Sequence, residues 1–248
     1  MPDFIVPKRF QLTNNLQVYA MEGGGQELCR LDLVFEAGSK IQNKALQASL
    51  TNALLLEGTA NKKGEEIHES LDFYGAYTQV DVNSDRAVVS LFTLNKYFNE
   101  VLPLFIDALK NPIFPEDEFQ IALAQKKQSF RINSEKVEFI ARNTFFNTLF
   151  GTHPYGFSVT LEDFDRITRQ DLVDFHTANY KNAALNVYIA GMLPSNTESM
   201  LNEYLGTWAL KASNSLDVYS PVHKTEKTHL FKDAAMQSAI RIGRSCFN

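Results

Sequence analysis

Residues 43–56 set the tightest limit on what this chain can fold into. Ala45, Leu46, Ala48, Leu50, Ala53, Leu54 and Leu56 recur at helical spacing until Gly58 ends the run. So broad an apolar face needs cover from more than one neighbour. Strand patterns flank it: Leu31 to Gly38 before, then Ala76–Val82 and Ala87–Thr93 after, the latter pair joined at Asn83-Ser84-Asp85. A buried helix between strands points to an α+β layer, with the helix laid on a sheet.

The rest of the chain fits that architecture. Phe10 and Leu12, then Leu16, Val18 and Ala20, alternate around Asn14-Asn15 as a hairpin. A third strand over Leu28–Phe35 follows the turn Gly23-Gly24-Gly25. Glu65, Ile67, Leu71 and Phe73 mark a short helix stopped by Gly75, and helical patterns cover Tyr97–Leu109, Pro115 to Ile132 and Val137–Phe150. After the loop His153-Pro154-Tyr155-Gly156, Thr168 and Asp171 form an acidic capping box for a helix through Tyr180. A strand over Leu185–Ala190 and a helix over Ser195–Trp208 complete the order. It predicts helices packed on one face of a mostly antiparallel sheet. Residues 1–210 form this lobe, and 211–229, rich in Ser, Asn, Lys and Thr, form a linker. Residues 230–248 read as the first strands of a truncated second lobe, with Thr228–Phe231 and Ser238–Ile242 as the strand patterns.

Charge and histidine spacing narrow the function. The chain has 24 Lys+Arg against 29 Asp+Glu, and no basic cluster larger than Lys126-Lys127. That argues against a nucleic-acid or anionic-membrane surface. No run approaches the ~20 apolar residues of a membrane helix, and Met1 to Phe10 lacks the apolar core of a signal peptide. No membrane span is expected, and a cytoplasmic setting is favoured. Cys29 and Cys246 match no metal or redox spacing. None of His68, His153, His176, His223 and His229 has a second histidine three or four residues away. Glu65-Glu66-Ile67-His68-Glu69 reads as a solvated acidic helix face, and His153 as a loop residue. There is no Gly-x-Ser-x-Gly, no Walker loop and no Gly-x-Gly-x-x-Gly.

Eight short motifs, taken in order and spacing, resemble the pitrilysin/insulinase-type zinc peptidases, which include the mitochondrial processing peptidases. They are Phe35-Glu-Ala-Gly38, Leu55-Leu-Glu-Gly58-Thr59, Leu71-Asp-Phe-Tyr-Gly75-Ala76, Asn111-Pro112-x-Phe114, Leu149-Phe-Gly-Thr-His153-Pro-Tyr-Gly156, Ile167-Thr168-x-x-Asp171-Leu-x-x-Phe175, Asn179-Tyr180 and Ala190-Gly191. In that family the first helix carries His-x-x-Glu-His and runs on into Gly-Thr. The two imidazoles, one turn apart, bind one Zn²⁺ while the Glu activates its water. Counting back from Gly58-Thr59 puts Ser49, Asn52 and Ala53 at those positions. The family's third ligand, a Glu on a later helix, falls at Ser129 or the adjacent Gln128. Alanine cannot ligate, neutral serine is a poor zinc ligand, and asparagine cannot take up a proton. The resemblance therefore implies a peptidase fold without peptidase chemistry: zinc in active homologues, no metal and no cofactor here.

The resemblance also implies partners. In this family homologous lobes assemble around a chamber, and substrate lies extended against a sheet edge beside the zinc helix. Ala76, Tyr77, Thr78, Gln79 and Val80 are the corresponding edge for an extended peptide. Three functions stay open. The chain is a non-catalytic partner that completes a peptide-binding chamber, with a catalytic homologous subunit or its own second lobe. Or it is an active zinc peptidase with non-standard ligands. Or it is a structural subunit with no peptide role. Limited proteolysis tests the boundary reading: cleavage is expected within 211–229, leaving a stable core from residue 1 to about 210.

Overall fold

A computed structural model describes residues 6–212 and 226–245. Expectations that rest on residues 1–5, on 213–225 of the linker with His223, and on Cys246 lie outside the described residues. Strands β1 (Lys8–Gln11) and β2 (Gln17–Glu22) form the first hairpin, turning at Asn15 with φ 64°, a conformation asparagine tolerates. Next come β3 (Leu28–Phe35), α1 (Gln47–Ala53), α2 (Gly64–Phe73), β4 (Tyr77–Val82) and β5 (Ala87–Leu94). Helices α3 (Phe98–Lys110), α4 (Glu116–Ser134) and α5 (Val137–Phe150) follow. Short α6 (Asp163–Arg166), α7 (Arg169–His176), β6 (Asn182–Ala183), β7 (Leu185–Gly191), α8 (Thr197–Leu205) and β8 (Ala209–Leu210) complete the order.

Among the described residues, six strands form one sheet in the order β1-β2-β7-β3-β5-β4, and β6 pairs with β8 separately. Every neighbour in the large sheet is antiparallel except β2 and β7, so the expected α+β class with a mostly antiparallel sheet holds. One face buries Val18, Ala20, Leu31, Leu33, Val89, Leu91, Val187 and Ile189 in a single core with Leu50, Phe105, Leu109 and Leu172 from the helices. Each large side chain removed from water there contributes roughly 1.5–3 kcal/mol. The opposite face carries amphipathic pairs: Tyr19 stacks on Tyr188 with centroids 5.1 Å apart, and the Arg30 guanidinium lies 4.9 Å from the Phe92 ring centre.

Three local expectations change. The first helix starts at Gln47 rather than 43, because Leu46 takes φ 74° and the Gln47 side-chain oxygen accepts hydrogen bonds from the backbone N–H of Asn43 and Lys44. The Thr168–Asp171 capping box forms as read, but α7 ends at His176 and a wider π-type turn carries Thr177–Lys181. Finally, Thr228–Phe231 and Ser238–Ile242 form no strands. Residues in this segment lie beside α5 with no ladder partner, and a strand without a partner leaves its backbone bonds unmade. Two exposed ion pairs, weakened by solvent screening, join the segment to the α4–α5 corner: Lys232–Glu135 at 2.7 Å and Arg241–Glu138 at 2.8 Å.

One buried ionisable group makes this core pH-sensitive. His176 is 2% exposed, and its Nε2–H donates to the Leu109 carbonyl at 2.8 Å. Burial disfavours the imidazolium and pulls the pKa down from 6.5 to about 4, against the Leu109 bond, which favours it. The unfolded chain therefore takes up this proton first as pH falls. The stability present above pH 6.5 is lost between there and about pH 4, amounting to about 3 kcal/mol. Urea unfolding at stepped pH is expected to show that loss, and a His176→Gln chain should show a flatter profile over the same window.

Candidate functional site

Helix α1 packs against β4, α4 and α7, which puts its outward turn beside the last strand of the sheet. Three of the residues singled out from the sequence share this short helix. Ser49 is half-buried, and its hydroxyl donates to the Leu46 carbonyl at 3.2 Å, within its own helix. Ala53 is exposed. Asn52 is 1% exposed and bonded on both sides of its amide. Its Nδ2 donates to the Asp81 carbonyl on β4 at 3.0 Å, and its Oδ1 accepts from the Tyr180 hydroxyl at 3.2 Å. Ser129 is solvent-exposed on α4.

Tyr180 extends the Asn52 contact into the core. It is fully buried, and burial pushes its phenol far above the ordinary range, so it stays protonated and donates. The His176 ring stacks on the Tyr180 ring at 5.4 Å and 15°, and the Trp208 indole N–H donates to the Tyr180 carbonyl at 2.6 Å. A polar chain thus runs from the β4 backbone through Asn52 to Tyr180. The Asn179-Tyr180 pair was visible in the sequence as a motif, but its tie to Asn52 was not.

These residues do not fit zinc. A tetrahedral site needs four nitrogen, sulfur or oxygen donors, three of them from the protein even when catalytic. The Ser49 hydroxyl is engaged in its helix, the Asn52 amide is engaged twice, and Ala53 has no donor. Among the described residues, no three His, Cys, Asp or Glu side chains stand close enough to hold a metal ion. Lys126, one turn before Ser129, is partly buried, and desolvation draws its ammonium pKa down; it offers a cation, not a ligand. The Cys29 thiol is fully buried, and burial raises its pKa to about 11, so it offers no nucleophile.

The candidate peptide edge has the geometry that docking needs. β4 is the outermost strand of the sheet and pairs only with β5. Asn83 N–H bonds to the Arg86 carbonyl at the hairpin turn, so alternation along the ladder turns the N–H and C=O of Thr78, Val80 and Val82 to the open side. Ala76 is buried just before the strand, while Tyr77 is 62% and Val80 38% exposed. The other edge, β1, is four residues long, follows Pro7 and carries the Lys8–Glu22 pair, which are familiar guards against strand addition. β4 carries no lysine or proline. Among the described residues no helix is long and apolar enough to cross a membrane.

Comparison with known proteins gives the family and the fold. The insulinase (peptidase family M16) family model matches residues 18–160, and that of the peptidase M16 inactive domain matches 166–244. The chain belongs to the insulinase, or peptidase M16, family. Mitochondrial-processing peptidase subunit beta of Rattus norvegicus is 23% identical over 187 residues, 73% of this chain and 37% of that protein. Subunit alpha-1 of the same peptidase from Dictyostelium discoideum is 23% identical over 201 residues, 79% of this chain and 30% of that protein. Among solved structures, a peptidase M16 inactive domain from Pseudomonas fluorescens superposes with a TM-score of 0.78 at 25% identity, over 87% of this chain and 54% of that one. A Helicobacter pylori protease shares the fold, with a TM-score of 0.75 at 20% identity over 88% of this chain and 54% of that one. The chain thus spans little more than a third of the rat subunit and about half of each solved chain.

The Asn52 contact has a measurable energy. Asn52→Ala strips a buried phenol and a strand carbonyl of a partner and should cost about 2–3 kcal/mol in chemical denaturation. Adding Tyr180→Phe to that variant removes the orphaned hydroxyl, so the double variant should lose less than the sum of the two singles.

Proposed function

We propose that this chain is a zinc-free, non-catalytic member of the M16 family that holds an extended peptide along β4. On this reading it completes a chamber with a homologous partner, either a catalytic subunit or a second lobe. The observation that carries it is Asn52. In a peptidase of this kind that helix position must hold a free carboxylate that takes a proton from metal-bound water. Here it holds an amide fixed between Asp81 and Tyr180, and an amide cannot act as a base. Helix α1 has become a brace behind the docking edge. Two relatives bear names as beta and alpha-1 subunits of one peptidase, which supports a homologous partner.

The peptide would add to β4 through the outward N–H and C=O of Thr78, Val80 and Val82, as in other cases of β-augmentation. Backbone bonding of this kind reads extended conformation rather than sequence. Exposed Tyr77 and Val80 would lie on opposite faces of the strand and meet successive side chains of the guest.

Metal analysis is the direct test. The purified chain should carry no stoichiometric zinc, and a chelator should leave its melting temperature unchanged, since no metal contributes to folding. One tightly held zinc per chain, lost on changing Ser49, Asn52 or Ser129, would overturn the reading. A graft probes the same point from the other side. Ser49→His, Asn52→Glu, Ala53→His and Ser129→Glu together rebuild a ligand set without the hydrogen bonds that orient it. Affinity or turnover is expected to fall ~10–100-fold short of an active homologue.

A further inference from the structure

The β4–β5 hairpin tip is bound far more heavily than a hairpin turn requires. All three residues of Asn83-Ser84-Asp85 give their backbone carbonyls to successive N–H groups of the loop after β3. Gly38 N–H reaches Asp85 O at 3.3 Å, Ser39 N–H reaches Asn83 O at 3.0 Å, and Lys40 N–H reaches Ser84 O at 2.8 Å. The Asp85 side chain then gathers two further elements. Its Oδ1 accepts from Lys40 Nζ at 2.7 Å and from the Tyr155 hydroxyl at 2.6 Å, the latter on the His153-Pro154-Tyr155-Gly156 loop. Burial raises the pKa of its carboxyl, but the Lys40 and Tyr155 bonds outweigh that and hold it below the usual carboxylate range. Approach at the tip is so close that a Cβ on Gly38 would sit 2.3 Å from the Asp85 backbone carbon.

An outermost strand, bonded on one side only, frays more readily than its neighbours. Any ligand that adds to it must first meet the cost of straightening it, and a strand already held straight removes that cost. We propose that Asp85 is the positioning residue of the β4 edge, with Tyr155 and Lys40 as the two clamps that hold its carboxylate. The proposal rests on the docking reading above and adds how that edge is kept ready. Asp85 does not touch the guest chain. It fixes the far end of β4, while the Asn52 bond to the Asp81 carbonyl supports the strand from behind. This gives the His-Pro-Tyr-Gly loop a role that its sequence does not reveal: its tyrosine ties α5, which it follows, to the hairpin tip.

The test separates strand order from docking. Hydrogen exchange is read at the Gln79 and Asp81 amides, which the ladder directs to β5, and at Leu31 and Leu33 in the sheet centre. Binding is read by the anisotropy of fluorescein-labelled dephosphorylated β-casein, an unfolded chain. Tyr155→Phe and Asp85→Asn should each speed exchange at Gln79 and Asp81 several-fold, leave Leu31 and Leu33 unchanged, and weaken casein binding about five- to tenfold. Lys8→Ala, which breaks an exposed pair at the opposite edge, should change neither reading. Unchanged exchange in β4 overturns the clamp, whatever casein does. Faster exchange with unchanged casein affinity overturns the link from clamp to docking. If the unmodified chain ignores casein while exchange still responds to both substitutions, the clamp stands and the docking reading falls.

Discussion

The structure depends on β3 being paired on both sides from Cys29 to Phe35. It bonds to β5 from Leu28 to Phe35 and to β7 from Cys29 to Phe35, and Cys29, Leu31, Leu33 and Phe35 are each no more than 1% exposed. With the centre of the sheet so fixed, its inner apolar face must be roofed by helices, and α1 is the helix that reaches the β4 side. The place where a hydrolytic site could be built follows from that roofing. What the residues there are decides whether it is one.

An amide suits the surroundings of position 52 in a way that a carboxylate would not. A buried carboxylate offers only acceptors and would face the Asp81 carbonyl, another acceptor, without a proton between them. Asparagine has one donor and one acceptor side, and it meets a carbonyl with the first and a phenol with the second. The local polarity matches an amide, and Tyr180 and Trp208 continue the same bonding inward. The Asn52 amide is thus satisfied on both sides without a metal, and the helix can stay buried there.

Much of this was legible in the sequence, because the signals involved are local. Thr168 and Asp171 announced their capping box, Gly75 at φ 62° stopped α2, and Ser49, Asn52 and Ala53, singled out by counting from Gly58-Thr59, do share one helix. What escaped was of two kinds. Leucine is an improbable residue for a left-handed conformation, so nothing at Leu46 warned that α1 would start late. The other omissions are distant pairings. Asn52 lies 128 residues from Tyr180, and Asp85 lies 45 and 70 residues from Lys40 and Tyr155. Periodicity says which face of an element is buried, not which polar atom will be waiting there. Thr228–Phe231 and Ser238–Ile242 show the limit from the other side: alternation alone makes no strand where no partner strand is paired.

The one parallel pairing in the sheet has a consequence for how the chain reaches this state. Among the described residues β7 is the last strand of the large sheet in chain order, yet it lies between β2 and β3 and joins the β1–β2 hairpin to the other strands of that sheet. Until the ribosome has released residues 185–191, the first hairpin has no neighbour to join, and the β3–β5–β4 half has an exposed inner flank along β3. The sheet therefore closes late and from the middle, by insertion rather than by growth at an edge. Contacts so far apart in sequence carry the loop-closure cost that slows folding. A nascent chain of this kind exposes the unpaired flank of β3 until β7 emerges, and that flank is where mispairing would start.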